Sequence, residues 1–220
     1  MRKAVIVALS VTGLFTTSLF SSVAYSETIS LEYNGFYDKL KRAHKSNHPL
    51  VDLVFSVPEK PGCKIVSGDI RTEKQQFPLT YNAEQRLFIP YDPQLKSDRA
   101  LINLTVDGDG KQCGIAVQVR AKSVKQSYSA SELTDLMADM DKLLDSLLGF
   151  PMKYFSDPVA GIKLQFESEL NSVLIDGKSV ELEQSMQGEH YSATLTRELI
   201  ENAKQVEFSQ MPTVISPHLN

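Results

Sequence analysis

A chain of 220 residues with 42 % apolar side chains is long enough to bury a core, and its 23 basic against 27 acidic residues leave a formal net charge of −4. That composition excludes a disordered polymer, which is poor in apolar residues, and a phosphate-gripping nucleic-acid binder, which needs clustered Lys and Arg. The charge is uneven: residues 27–128 carry 15 basic and 12 acidic side chains, residues 129–220 carry 6 and 15.

Residues 1–26 have the three parts of a secretory signal peptide. Arg2 and Lys3 supply the positive start, residues 4–20 an apolar stretch softened by Ser, Thr and Gly, and Ala24 and Ser26 the small residues at −3 and −1 of a cut before Glu27. An uncleaved anchor is the alternative, but the stretch is short and polar for a spanning helix of about 20 residues. No Cys near the cut offers a site for lipid, and no later segment is long and apolar enough to span a bilayer. The expectation is an exported, soluble chain beginning at Glu27, with no transmembrane anchor.

Residues 27–128 read as a β-rich segment. Residues 29–33 alternate like a strand, and Asn34 is placed to cap a short helix with Phe36, Leu40 and Ala43 on one face and Lys39, Lys41, Arg42 and Lys45 on the other. Val51, Leu53, Phe55 and Val57 alternate toward a core, and Pro58 with Pro61-Gly62 ends that run. Strands are expected near 63–70, 77–82, 86–91, 100–106 and 113–121, with Asp-Gly-Asp-Gly-Lys-Gln at 107–112 as a hairpin loop. The even pair Cys63 and Cys113 in an exported chain reads as one structural disulfide. A redox or metal pair would want Cys-x-x-Cys or a nearby His. Cys113, Ile115, Val117 and Val119 share one face of their strand, the expected buried one.

Residues 129–150 hold the strongest helix signal. Ser129 and Glu132 form a capping box, and Tyr128 and Leu133 are placed as a hydrophobic staple. Leu133, Leu136, Met137, Met140, Leu143, Leu144, Leu147 and Leu148 keep helical spacing, and Gly149 with Pro151 ends the run. Asp135, Asp139, Asp141 and Asp145 lie off the stripe and are assigned to a solvated face. A helix packed on a sheet is favoured over a docking or coiled-coil helix, because the stripe is only about two heptads long.

Residues 151–220 return to β. Ile162, Leu164 and Phe166 alternate with polar residues; Asp176-Gly177 between two apolar triplets signals a two-residue hairpin; Tyr191, Ala193 and Leu195 form another strand face. Residues 197–203 read as a short helix before a strand through Val206 and Phe208. The fold class is therefore α+β and mostly β: two antiparallel β-sandwich-like segments joined by one long amphipathic helix. Shifting residues 87–105 by 104 positions aligns Leu87 with Tyr191, Ile89 with Ala193, Tyr91 with Leu195, Leu95 with Leu199, Ile102 with Val206 and Leu104 with Phe208. This pattern suggests an internal repeat.

Three groups of residues carry a family resemblance. They are Tyr33-Asn34-Gly35-Phe36-Tyr37-Asp38-Lys39-Leu40-Lys41; Cys63-Lys64-Ile65 with Phe88-Ile89-Pro90-Tyr91-Asp92-Pro93-Gln94-Leu95-Lys96 and Cys113-Gly114-Ile115; and Val206-Glu207-Phe208-Ser209 with Ile215-Ser216-Pro217. Together they resemble an uncharacterised family of exported proteins of marine gamma-proteobacteria, a domain of unknown function. The resemblance implies a periplasmic location and supplies no catalytic residues.

Reactive motifs are sparse. Gly-x-Ser-x-Gly, Ser-x-x-Lys in a suitable context and phosphate-cradling glycine loops are absent, so no catalytic or cofactor-binding residue is assigned. His44 and His48 have helical metal-ligand spacing, but Asn47 and Pro49 end the helix and no third ligand follows; His44 reads better as a cation at a helix C-terminus. His190 is expected to face solvent. Asp107-Gly108-Asp109-Gly110 hints at a calcium loop but lacks the further acidic ligands and the closing Glu, so a turn is favoured. The resulting expectation is a non-enzymatic binding or adaptor module whose partner is a protein or envelope component. The alternative is an envelope-polymer hydrolase using carboxylates.

Overall fold

The computed structural model describes residues 26–187 and 190–219; the expected leader, residues 1–26, lies outside them except for Ser26. The first half of the chain runs β1 (Glu27–Glu32), α1 (Tyr33–Lys45), β2 (Val51–Ser56), β3 (Ile65–Arg71), β4 (Gln76–Pro78), β5 (Thr80–Tyr81), β6 (Arg86–Phe88), α2 (Pro93–Ser97), β7 (Leu101–Val106) and β8 (Ala116–Ala121). The second runs β9 (Ser127–Ser129), α3 (Ala130–Leu148), β10 (Gly161–Phe166), β11 (Val173–Ile175), β12 (Lys178–Val180), β13 (Gln184–Gln187), β14 (His190–Thr196), α4 (Arg197–Glu201), β15 (Gln205–Phe208) and β16 (Val214–His218). The fold is mostly β, in four antiparallel sheets ordered β1-β7-β3-β4, β5-β6-β2-β8, β12-β11-β15-β9 and β13-β14-β10-β16.

Period-two patterning explains the sheets. On β10, Ile162, Leu164 and Phe166 are fully buried and register with Leu195, Ala193 and Tyr191 of β14. The hairpin β11–β12 turns at Asp176 and Gly177, both with positive φ (53° and 77°), as a two-residue primed turn requires. One apolar core runs through both halves, from Tyr33 and Phe55 to Phe166 and Phe208. Tyr33 is wholly buried; its hydroxyl donates to the Pro90 carbonyl (2.7 Å) and accepts the Asp92 N–H (2.9 Å), tying α1 to the start of α2.

Helix α3 forms as its sequence predicts. The Ser129 side chain accepts the Glu132 N–H while Glu132 accepts the Ser129 N–H, the two halves of a capping box. Leu133, Leu136, Met137, Met140 and Leu143 are buried. The helix follows directly on β9 and packs against α1, β2 and β8 as well as β9 and α4, so it is enclosed from both halves. That enclosure corrects the solvated face at one position: Asp135 is exposed and Asp141 and Asp145 are half-buried, but Asp139 is 3 % exposed, and it accepts the Leu50 N–H of the 46–50 loop at 2.8 Å.

Three further expectations are corrected. Helix α1 starts one residue before Asn34 and its N-cap is Glu32, with no side-chain cap bond. Residues 107–112 are not a hairpin loop: β7 pairs with β1 and β3 while β8 pairs with β2, so the link crosses between sheets and contains a short 3-10 turn. Val117 is 41 % exposed, although Val119 on the same face is buried.

Cys63 and Cys113 are joined as a disulfide, linking the approach to β3 with the approach to β8, which lie in different sheets. The crossing is tight beside it. A Cβ on Gly108 would stand 2.6 Å from the Gly62 Cα, so both backbones depend on glycine here.

Candidate functional site

The residues that converge on a cleft come from the strands of two sheets and from the loops that follow β2 and β5. In the register of β2 with β8, Ser56 pairs with Ala116 and Asp52 with Arg120, which places Ala116, Gln118 and Arg120 on the face turned away from the core. In β10 and β16, Gln165 pairs with Val214. The edge strands β8 and β16 run beside one another, and a cleft of about 360 Å³ opens where the two sheets meet. Its walls include Glu59, Lys60, Glu84, Gln118, Arg120 and His190.

Arg120 dominates the first wall. Its side chain is 15 % exposed, and its Nε and Nη2 donate to Gln118 Oε1 at 2.9 and 2.6 Å. Nη1 lies 3.8 Å from Glu84 Oε2. Burial lowers the guanidinium pKa from its ordinary value, opposed by the Glu84 charge. Arginine remains charged in proteins, so a desolvated cation faces the cleft with one amide and one distant carboxylate as partners.

His190 and Glu59 form the second wall. His190 Nε2 lies 3.5 Å from Glu59 Oε2, and the His190 side chain is 30 % exposed, which corrects the expectation that it faces solvent. Its Nδ1 is buried, with no hydrogen-bond partner among the described residues. The two cleft carboxylates thus lie beside different groups, Glu59 beside the His190 imidazole and Glu84 beside the Arg120 guanidinium.

The other residues singled out in the sequence take structural roles. His44 Nδ1 lies 3.0 Å from the Leu40 carbonyl in the last turn of α1, and its ring stacks on Tyr91. His48 is beyond the helix and buried, 3.4 Å from Asp139. Asp107 accepts the Lys64 N–H (2.9 Å) and Asp109 caps the 3-10 turn by accepting the Lys111 N–H (3.0 Å), so both serve the crossing of the chain. Among the described residues no group of three or more His, Cys, Asp or Glu side chains is arranged to hold a metal, and no helix is long and apolar enough to cross a membrane. Glu59, Glu84, Gln118 and Arg120 were not distinguishable in the sequence. The one available signal was the 113–121 alternation, which puts Gln118 and Arg120 opposite Val119.

No curated protein and no solved structure matches the chain. A family model does match over residues 25–166, from the start of the described chain to the end of β10. The chain belongs to this family, described as a protein of unknown function (DUF2987).

Proposed function

We propose that this is an exported, periplasmic binding module of the cell envelope, built by internal duplication, that holds a short polar ligand in the cleft between its halves. The observation that carries the binding reading is the cleft itself. Its volume falls within the range of about 300–1,000 Å³ usual for small-ligand sites. Its walls carry both signs of charge, Arg120 and Lys60 against Glu59 and Glu84, with the His190 imidazole beside Glu59. A short peptide with free amino and carboxyl termini has the matching chemistry. The hydrolase alternative needs a carboxylate poised as acid or base toward a second one, and here Glu84 lies beside Arg120 and Glu59 beside His190.

Duplication is supported by topology. Sheet order β1-β7-β3-β4 has its counterpart in β9-β15-β11-β12, and β8-β2-β6-β5 in β16-β10-β14-β13. The caps of α2, Asp92 and Asp98, and those of α4, Thr196 and Asn202, keep the offset of 104 positions read in the sequence. On this reading β8 and β16 are equivalent strands, and the cleft lies where the equivalents meet. Export is supported by the leader pattern of residues 1–26 and by the Cys63–Cys113 disulfide, a bond favoured outside the reducing cytosol.

Calorimetric titration with tri-alanine, compared with its N-acetylated, C-amidated form, tests the binding reading. The free peptide is expected to bind and the blocked one to bind about ten-fold more weakly, with Arg120→Ala also weakening the free peptide about ten-fold, the worth of a charge-assisted contact. No heat from either peptide overturns the ligand class. Cleaved peptide in the mixture, lost in Glu59→Gln, would establish the hydrolase instead. N-terminal sequencing of the envelope fraction tests export: a start near Glu27 is expected, and retained Met1 overturns it.

A further inference from the structure

The turn after α3 carries the most exposed large apolar side chains among the described residues. Phe150, Phe155 and Tyr154 are 83, 78 and 69 % exposed, and Met152 and Leu148 are also open to solvent. These side chains stand on an ordered scaffold. Gly149 N–H donates to Asp145 O (2.9 Å), Lys153 N–H to Gly149 O (2.9 Å) and Phe155 N–H to Met152 O (3.0 Å), while the Ser156 hydroxyl donates to Asp145 Oδ1 (3.2 Å). Apolar groups on one short, hydrogen-bonded turn mark an interaction surface rather than scattered surface hydrophobes.

Cations gather beside this turn. Arg42 and Lys45 from the end of α1, Lys142 from α3 and Lys153 from the turn line one hollow with Phe150, and Asp145 is the one carboxylate in that lining. A neighbouring hollow, which Lys153 also lines, carries the carboxylates Asp141, Asp145 and Asp157. Lys142 and Lys153 are two of just 6 basic residues in positions 129–220, so the clustering runs against the acidic character of that half. Arg42 and Lys45, the C-terminal part of the basic face of α1, thereby join the aromatic turn in one surface.

We propose that this surface docks the protein on an anionic phospholipid bilayer. Phenylalanine, tyrosine and methionine side chains suit the boundary between headgroups and acyl chains, and ammonium and guanidinium groups suit the phosphates around them. A second copy of the chain fits less well, because a self-complementary contact would bring Arg42, Lys45, Lys142 and Lys153 against their own equivalents. Docking is independent of the cleft, which is lined by other residues.

The test is sedimentation of the exported protein, its N-terminus verified, with vesicles of phosphatidylglycerol and phosphatidylcholine in equal parts or of phosphatidylcholine alone. Binding to the anionic vesicles is expected to be about ten-fold tighter, since each basic residue near such a surface contributes measurably, and to weaken as salt is raised. The exposed double substitution Phe150→Ser/Phe155→Ser should lower binding about ten-fold with an unchanged thermal melt, and Lys45→Glu/Lys153→Glu should remove the preference for anionic lipid. Equal binding to both vesicles, no binding, or a concentration-dependent dimer dissolved by Phe150→Ser/Phe155→Ser would each overturn the proposal.

Discussion

His48 Nδ1 lies 3.4 Å from Asp139 Oδ1, and the two side chains are 5 % and 4 % exposed. The other Asp139 oxygen accepts the Leu50 N–H at 2.8 Å, and Lys122 Nζ donates to the His48 carbonyl. One carboxylate therefore fastens the loop that delivers the chain into β2 onto the middle of α3. Removing the carboxylate leaves the Leu50 N–H without its acceptor in a covered place, which costs about 1–3 kcal/mol. Asp139→Ala is expected to lower the urea unfolding free energy by that amount. Asp139→Asn, which keeps an oxygen for Leu50, should cost less. A change below about 0.5 kcal/mol in Asp139→Ala, typical of a surface site, would show that the contact contributes nothing.

That pair also marks where sequence reading stops. Helix α3 and the Asp176-Gly177 hairpin are encoded within a few residues, by a capping box and a pair of left-handed turn residues, and both were legible. The buried alternation of β10 was legible for the same reason. Asp139 was not, because a helical stripe sorts side chains by polarity, and here a polar residue is covered by a loop remote in sequence. The crossing at 107–112 has the chemistry of a hairpin, but strand pairing is decided by distant partners, β3 for β7 and β2 for β8. The cleft was hidden for a related reason: Gln118, Arg120 and His190 occupy strands and Glu59, Lys60 and Glu84 the loops beside β2 and β6, and such positions read as solvent until a second sheet stands beside them.

Glu132 gives the fold a pH dependence. Its hydrogen bond from Lys125 (2.6 Å), with those from the Ser129 N–H and hydroxyl, lowers its pKa from 4.5 to about 2. A group whose folded pKa is depressed stabilises the fold above its unfolded value and loses that contribution as pH falls through the folded one. The helix start should therefore weaken between about pH 4.5 and pH 2. Glu132→Gln should melt below the wild type at pH 6 and approach it near pH 2. Parallel curves for the two proteins over that range would contradict the assignment.

The disulfide closes a separation of 50 residues. Restricting the unfolded chain by such a loop stabilises the fold by roughly 4 kcal/mol in the chain-entropy description. Cys63→Ser/Cys113→Ser should melt well below the wild type, with the loss centred on the crossing of Gly62 and Gly108. Mass-tagged alkylation of intact protein should find no free thiol, and two tagged cysteines would remove the basis of the prediction.

Met140 is the neighbour of Asp139 on α3 and is fully buried, yet the two should respond differently to charge. Asp139 reaches the rim of the core, where Leu50 N–H and His48 meet it. Met140 belongs to the apolar stripe with Leu133, Leu136, Met137 and Leu143, inside the one core shared by both halves. Met140→Asp would place a carboxylate within that apolar core, at a cost of several kcal/mol against a total stability of about 5–15 kcal/mol for a typical domain. Asp135, which is exposed on the same helix, provides the control, and Asp135→Lys should change stability by less than about 0.5 kcal/mol. The measurement is the denaturant midpoint of the two variants as isolated proteins. Met140→Asp should be largely unfolded or unfold at much lower denaturant, while Asp135→Lys follows the wild type. Wild-type unfolding of Met140→Asp together with loss of a complex seen in envelope extracts would instead make the α3 stripe an interface, in conflict with its enclosure by α1, β2, β8, β9 and α4.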